Sequence, residues 1–166
     1  MAPNAPLRAL VIVPTYNEIE NLASLVEAVF AQPADLSMLI VDDNSPDGTG
    51  KLADDLAAAY PARLSVLHRP GKNGIGPAYV AGFRRALQDD VDMIVTMDAD
   101  LSHDPNDLPR MLQAAVSADV VIGSELRWSR ALGMIPKRSA LVVCRALAGA
   151  ARVQAGGGER MRREGG

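Results

Sequence analysis

Met93-Ile94-Val95-Thr96-Met97 runs directly into Asp98-Ala99-Asp100, so an almost wholly apolar segment ends in two carboxylates. Its lack of polar alternation is typical of a strand buried on both faces, as in a parallel sheet. Four other short runs are similarly rich in aliphatic side chains: residues 9–13, 38–41, 64–67 and 120–122. The sequence therefore predicts five buried strands, the fourth of which leads into the acidic pair.

Segments of helical length separate these runs. Apolar residues recur at helical spacing in residues 18–31, 50–60, 76–88 and 107–118. Asn17 with Glu20 fits a capping box before the first helix, and Asp104 with Pro105 fits an N-cap before the last. Strands that alternate with helices predict an α/β fold with a mainly parallel sheet flanked by helices.

Length and composition favour one globular domain. The chain has 166 residues, 48% of them hydrophobic, and Cys144 is its single cysteine, which excludes an intramolecular disulfide and fits a reducing compartment. Residues 1–8 lack the features of a signal peptide, and no apolar run approaches the roughly 20 residues of a membrane span. We expect a cytoplasmic protein, with peripheral contact to a membrane left open.

Parallel sheets bind ligands beyond the carboxyl ends of their strands, and the acidic pair lies at such a position. Asp98 and Asp100 are separated by one residue, so in an extended chain both carboxylates face the same side. Paired carboxylates suit Mg²⁺ or Mn²⁺, which also take phosphate oxygens as ligands. The alternative is a solvated acidic turn. We predict a catalytic divalent-cation site at Asp98 and Asp100.

Two further clusters follow the first and second predicted strands. Pro14, Tyr16 and Glu18 offer a rigid turn, an aromatic face and a carboxylate, which suit a nucleoside; the alternative is loop geometry. Asp42 and Asp43 occupy the position that binds ribose in dinucleotide-binding folds, and the alternative for them is a turn or helix cap. One of the two can cap while the other binds.

A basic loop with several glycines, residues 68–76, leads into the third predicted helix. Glycines allow close approach to phosphate, and a helix N-terminus favours anions, so Lys72 or Arg69 is a candidate phosphate contact. The spacing is not that of a P-loop. His103 is a candidate third ligand or supporting group at the acidic pair, although a loop histidine is more often simply hydrogen-bonded.

Four ordered motifs resemble the family 2 glycosyltransferases of GT-A fold, most of all the dolichyl- and polyprenyl-phosphate mannosyl synthases. The matching segments are residues 11–18, 41–49, 72–79 and 97–103, and the match covers about residues 8–124. The resemblance implies GDP-mannose as donor, polyprenyl (dolichyl) phosphate as acceptor and inversion at the anomeric carbon. It also implies a divalent metal on Asp98 and Asp100. The nucleotide is expected to contact Pro14, Tyr16, Glu18 and Asp42. We expect no nucleic acid as a partner.

The resemblance stops near residue 124. Nine basic and three acidic residues follow it, so residues 125–166 carry +6 and the preceding part −9 of a net charge of −3. We expect an atypical, partly disordered Ala-, Arg- and Gly-rich tail, out of frame or unrelated to the family, and hence an incomplete acceptor part. An alternative is a basic interfacial helix, because Arg138, Arg145 and Arg152 recur every seven residues.

Two other functions compete with the transferase. Asp98-x-Asp100-x-Ser102 resembles the nucleophile motif of haloacid-dehalogenase-like phosphohydrolases, although that motif usually follows the first strand. The chain can also be a truncated remnant that binds a nucleotide-sugar without transferring it. The absence of an obvious general base does not oppose a transferase, because a phosphate acceptor is already anionic near neutral pH.

Overall fold

The computed structural model of the protein describes residues 7–124 and 140–145. Within these residues the strands are β1 (Arg8–Thr15), β2 (Asp35–Asp42), β3 (Leu64–His68), β4 (Met93–Thr96), β5 (Val120–Ser124) and β6 (Ala140–Arg145). The helices are α1 (Leu22–Phe30), α2 (Thr49–Ala59), α3 (Ile75–Ala86) and α4 (Leu108–Ala115), with a short 3₁₀ helix at Pro105–Asp107. None of the helices in this described part is long and apolar enough to cross a membrane.

The strands form one sheet in the order β3-β2-β1-β4-β6-β5. β1 pairs in parallel with β2 and β4, and β2 with β3, whereas β6 is antiparallel to both β4 and β5. The predicted α/β fold with a mainly parallel sheet is therefore confirmed. Burial on both faces holds for β1, β2 and β4 and is only partial in β3. It is wrong for β5, where Val120 and Ile122 lie on the same face of the sheet and are exposed.

β6 is an element that the sequence analysis placed in the tail. Its residues pair with β4 and β5, and Val143 is fully buried in the core. The interfacial-helix alternative is wrong for Ala140–Arg145, while Arg138 and Arg152 lie outside the described residues. The domain boundary at residue 125 stays a prediction. Strand β6 lies beyond that boundary and nevertheless belongs to the sheet.

The first helix begins later than the capping box predicts. Asn17 has φ 61°, a left-handed conformation outside the helix, and α1 starts at Leu22 with no side-chain cap at Asn21. The predicted capping box is therefore wrong, since residues 17–19 instead form the loop at the end of β1. The predicted N-cap at Asp104 is confirmed, because its carboxylate accepts the backbone N–H of Asn106 at 2.9 Å.

Two apolar clusters cover the two faces of the sheet. Side chains of α1, α2 and α4 pack on one face, and α3 packs on the other. Gly82 brings α3 close to the central strand: a Cβ atom there would lie 2.5 Å from Cγ2 of Ile12, which is completely buried. This contact positions the helix whose N-terminal end lies at the carboxyl edge of the sheet.

We expect Gly82→Ala to destabilise the protein by about 1–3 kcal/mol, because the added methyl overpacks against Ile12 in a core without room to relax. The measurement is the free energy of unfolding by urea. Gly76→Ala in the same helix is the control: a Cβ there meets nothing within 4 Å, so the change should be neutral or stabilising by up to about 1 kcal/mol. Equal effects of both substitutions would contradict the packing explanation.

Candidate active site

A cavity of about 280 Å³ opens at the carboxyl edge of the parallel strands. Its walls come from the ends of β1, β2 and β4, from the loop after β3 and from the first turns of α3. The lining residues are Pro14, Thr15, Tyr16, Glu18, Asp43, Lys72, Gly74, Ile75, Ala78, Asp98, Ala99 and Asp100. The cavity therefore lies where the strand order predicts a ligand site.

Seven of the predicted site residues line this cavity: Pro14, Tyr16, Glu18, Asp43, Lys72, Asp98 and Asp100. Asp42 is 2% exposed and does not line the cavity. Its Oδ1 accepts hydrogen bonds from the hydroxyls of Thr15, at 3.0 Å, and Ser45, at 2.6 Å, and its Oδ2 accepts the Ser45 N–H. Asp42 thus has the turn role and Asp43 faces the cavity.

Tyr79 of α3 holds the first carboxylate of the acidic pair. Its hydroxyl donates to Asp98 Oδ1 at 2.8 Å. Burial, together with the neighbouring Asp98 charge, raises the pKa of the Tyr79 phenol far above its usual range. The phenol therefore stays protonated at neutral pH and always donates. The sequence analysis missed Tyr79, although it lies within a quoted motif.

The acidic pair suits a cation that takes some of its ligands from the protein and the others from a substrate and water. Asp98 and Asp100 both line the cavity, and carboxylate oxygens are the ligands that Mg²⁺ and Mn²⁺ prefer. Within residues 7–124 and 140–145 no group of three or more His, Cys, Asp or Glu side chains is placed to hold a metal. A cation here would take one or two protein carboxylates and complete its shell with phosphate oxygens and water, as Mg²⁺ commonly does.

The loop after β1 is held by side chains of the loop after β2. Three successive backbone N–H groups, from Asn17, Glu18 and Ile19, each donate to a side-chain oxygen. The acceptors are Ser45 Oγ at 3.1 Å, Thr49 Oγ1 at 2.9 Å and Asp47 Oδ2 at 3.3 Å. The sequence analysis considered only Asp42 and Asp43 at this second loop, but the side chains of Ser45, Asp47 and Thr49 also position Glu18 at the cavity.

The two candidate phosphate contacts have different surroundings. Arg69 is 12% exposed, forms an ion pair with Asp43 and does not line the cavity. Lys72 lines the cavity, and its Nζ lies 4.1 Å from the centroid of the Tyr16 ring, a cation–π contact. Lys72 is therefore the better placed of the two for a phosphate, and one face of Tyr16 is already covered.

His103 does not line the cavity. Its Nδ1 accepts the backbone N–H of Asp98 at 3.0 Å, and its side chain is almost fully buried. This geometry matches the hydrogen-bonded loop residue rather than the third metal ligand.

The cavity is strongly acidic. Among its described lining residues four carboxylates, Glu18, Asp43, Asp98 and Asp100, face one ammonium, Lys72. Arg69 offsets part of this charge through Asp43. An anionic ligand such as a diphosphate therefore needs a cation with it to enter favourably.

Comparison with known proteins gives a family match over most of the chain. The family described as Glycosyl transferase family 2 matches residues 10–147. An undecaprenyl-phosphate mannosyltransferase of Micrococcus luteus is 51% identical over 118 residues, which are 71% of this chain and 48% of that protein. A polyprenol monophosphomannose synthase of Mycolicibacterium smegmatis is 52% identical over 118 residues, 70% of this chain and 44% of that protein. The chain thus spans less than half the length of these relatives.

Solved structures show the same fold. A mannosyltransferase from Pyrobaculum calidifontis, in complex with GDP-Man and Mn²⁺, matches with a TM-score of 0.61 and 25% identity. The match covers 72% of this chain and 37% of that protein. TarS of S. aureus matches with a TM-score of 0.53 and 22% identity, over 69% of this chain and 34% of that one. The predicted GT-A fold is confirmed.

We expect Tyr79→Phe to lower the free energy of unfolding by about 1–2 kcal/mol at neutral pH, because a hydrogen bond to a carboxylate is lost. The raised pKa of Tyr79 means that the unfolded chain ionises first as pH rises past about 10. The wild type therefore becomes less stable at alkaline pH, and the difference in the free energy of unfolding between the wild type and Tyr79→Phe narrows. Urea unfolding at neutral and alkaline pH measures both effects.

Tyr60→Phe is the control for that substitution, since the Tyr60 hydroxyl makes no hydrogen bond within the described part of the chain while its ring packs on Phe30. It should change stability little at neutral pH. A gap between wild type and Tyr79→Phe that widens above pH about 10 would contradict the sign derived from the raised pKa.

We expect Thr49→Val to destabilise the protein by about 1–3 kcal/mol, because the Glu18 N–H loses its acceptor and Asp47 Oδ1 loses the Thr49 hydroxyl as a donor, while the side-chain volume is kept. Thr96→Val in β4 is the matched control, since Thr96 makes no side-chain hydrogen bond within the described residues and is 8% exposed. Thermal and urea unfolding compare the two. Equal losses of stability for both substitutions would show that the two hydrogen bonds of the Thr49 hydroxyl, with Glu18 and with Asp47, contribute nothing.

Proposed function

The chain belongs to glycosyl transferase family 2, and from this premise we propose that the protein transfers mannose from GDP-mannose to a polyprenyl (dolichyl) phosphate, with inversion and with Mg²⁺ or Mn²⁺ as cofactor. The named relatives support the mannosyl donor and the lipid-phosphate acceptor. The structural neighbour in complex with GDP-Man and Mn²⁺ supports the donor and a divalent cation.

One observation carries the proposal: the carboxylates of Asp98 and Asp100 share a cavity with Tyr16, Glu18 and Asp43 at the carboxyl edge of the sheet. This arrangement provides one place for a cation and a diphosphate and an adjoining place for a nucleoside. Transfer requires both places, because the diphosphate leaving group and the nucleoside belong to one donor molecule and must be bound at the same time.

The nucleoside lies against the residues that follow β1 and β2 in this proposal. Pro14 shapes the wall, Tyr16 offers a ring edge, and Glu18 and Asp43 accept hydrogen bonds from the N–H and O–H groups of base and ribose. Arg69 holds the Asp43 carboxylate in place through their ion pair. Lys72 is free to leave its contact with Tyr16 and pair with a phosphate oxygen.

Asp98 and Asp100 would hold the cation, and the fit follows from their oxygen donors and from the acidic character of the cavity. When bound, the cation neutralises charge on the diphosphate leaving group. Tyr79 keeps the Asp98 carboxylate oriented through its hydroxyl. Glu18 and Asp43 stay available for the nucleoside.

The acceptor needs no protein base. A phosphate monoester with a second pKa of about 6 is anionic at neutral pH. One of its oxygens forms the new bond to the anomeric carbon, while the bond from that carbon to the GDP oxygen breaks and GDP leaves with the electron pair. Attack from the face opposite the leaving group gives inversion. Positioning by the cavity walls therefore supplies the main catalytic effect.

The acceptor's isoprenoid chain resides in a bilayer, so we propose that the protein acts at the cytoplasmic face of a membrane as a peripheral protein. A second candidate function is nucleotide-sugar binding without transfer, because the roles proposed for the residues that line the cavity account for the donor and the cation. The phosphohydrolase alternative has no support, since the acidic pair follows β4 rather than β1 and the family is a glycosyl transferase.

The test is calorimetric titration with GDP-mannose and UDP-glucose, each with and without Mn²⁺. We expect GDP-mannose to bind more tightly than UDP-glucose and only weakly without the cation. Asp98→Asn and Asp100→Asn should each weaken Mn²⁺-dependent binding by at least about tenfold. Asp55→Asn, which removes an exposed carboxylate paired with Lys51 on α2, is the control and should bind as the wild type does.

Transfer is then measured as movement of labelled mannose from GDP-mannose to polyprenyl phosphate in detergent. Binding with transfer supports the main proposal, and binding without transfer supports the second candidate. Folded protein that binds neither sugar nucleotide, with or without Mn²⁺, would refute both.

A further inference from the structure

The loop that carries the acidic pair is closed by a histidine. The Asp98 N–H donates to His103 Nδ1 at 3.0 Å, which joins the beginning of the loop between β4 and the 3₁₀ helix to its end. His103 is 4% exposed and its ring makes no contact with the cavity. Its only hydrogen bond within the described residues is thus to the backbone of a proposed cation ligand.

This closure stabilises a strained conformation. Leu101 lies between the two ends with φ 58°, in the left-handed region that an ordinary side chain rarely adopts. Its side chain is 44% exposed, so packing contributes little to holding it there. Such conformations persist only where neighbouring contacts determine them. Hydrogen bonds inside the loop include Asp98 N–H to His103 Nδ1 and Ser102 N–H to Asp100 Oδ1, each at 3.0 Å.

The ring chemistry restricts which residues can make this contact. Since Nδ1 accepts a backbone N–H, the neutral ring carries its proton on Nε2. Nε2 is buried without a hydrogen-bond partner among the described residues, so Nδ1 alone makes the contact. The requirement is therefore one acceptor atom at the Nδ1 position, and an asparagine oxygen can occupy the same place.

We propose that His103 is a positioning residue, which fixes the backbone of Asp98 so that the Asp98 and Asp100 carboxylates are set for the cation before donor binding. The expected effect on cation binding rests on the proposed function, whereas the hydrogen bond of His103 to the Asp98 backbone does not. Asp98 is then held at two points: Tyr79 holds its carboxylate, and His103 holds its backbone. Loss of the second contact frees the loop to relax at Leu101 and separates the two carboxylates.

The test compares three variants of the whole chain. His103→Asn keeps an acceptor near the Nδ1 position, His103→Gln places one near the Nε2 position, and His103→Leu has none. We measure Mn²⁺ affinity in the presence of GDP, thermal unfolding, and hydrogen exchange of the Asp98 amide by NMR. The expected loss of Mn²⁺ affinity is about 10–100-fold for His103→Leu and His103→Gln, with His103→Asn within about threefold of the wild type.

The NMR measurement separates this inference from the proposed function. The chain has two histidines, so the ring signals of His103 are assigned by difference from a His68 variant. In the ligand-free wild type we expect an Nε2-protonated His103 and a slowly exchanging Asp98 amide, with faster exchange in His103→Leu and His103→Gln. This result supports the positioning role even if the wild type binds neither Mn²⁺ nor GDP, an outcome that refutes the proposed function alone.

Three results would overturn the inference. They are a rapidly exchanging Asp98 amide in the wild type, unchanged Mn²⁺ affinity of a Mn²⁺-binding protein in both His103→Gln and His103→Leu, and an equal loss of Mn²⁺ affinity for Asn and Gln. The last would mean that the ring itself, not its Nδ1 acceptor, is required. Should His103→Leu fail to fold, the Asn and Gln variants still make the comparison, because both keep a polar side chain of suitable size.

Discussion

The buried carboxylate of Asp42 is the constraint on which the site edge of the sheet depends. A charge that is 2% exposed must be satisfied by hydrogen bonds, and here they come from Thr15 at the end of β1 and from Ser45 in the next loop. Gly50 in the first turn of α2 completes the arrangement, since a Cβ there would lie 2.8 Å from Asp42 Oδ2. β1, β2 and α2 are thereby fixed to one another at the point where the cavity begins.

Three loops at this edge share a second feature. Asn17 after β1, Asn44 after β2 and Leu101 after β4 all have φ near +60°. Each turns the chain back within a few residues of a strand end, which places a following or preceding side chain at the cavity. The cost of these conformations is offset by hydrogen bonds between loops, such as those from the N–H groups of residues 17–19. Strain and its compensation thus lie together at the candidate site.

The acidic cavity links this scaffold to chemistry. The four carboxylates that line the cavity beside Lys72 repel a diphosphate unless a cation accompanies it, so electrostatics favours an anionic ligand that enters together with a cation. Tyr79 and His103 hold Asp98 by its side chain and its backbone, and Arg69 holds Asp43. Side chains that do not line the cavity therefore determine where the carboxylates that face it lie.

Local pattern in the sequence determined the element types, the parallel core strands and the edge at which Asp98 and Asp100 lie, because these follow from hydrophobic periodicity and from the chain's alternation of strand and helix. Sheet order was decided by tertiary structure. β6 enters between β4 and β5 by long-range pairing, which no local pattern reports. Asp42 and Asp43 are adjacent and chemically alike, so only the packed sheet, which buries one side of the chain and opens the other, decided which carboxylate faces the cavity and which holds the turn.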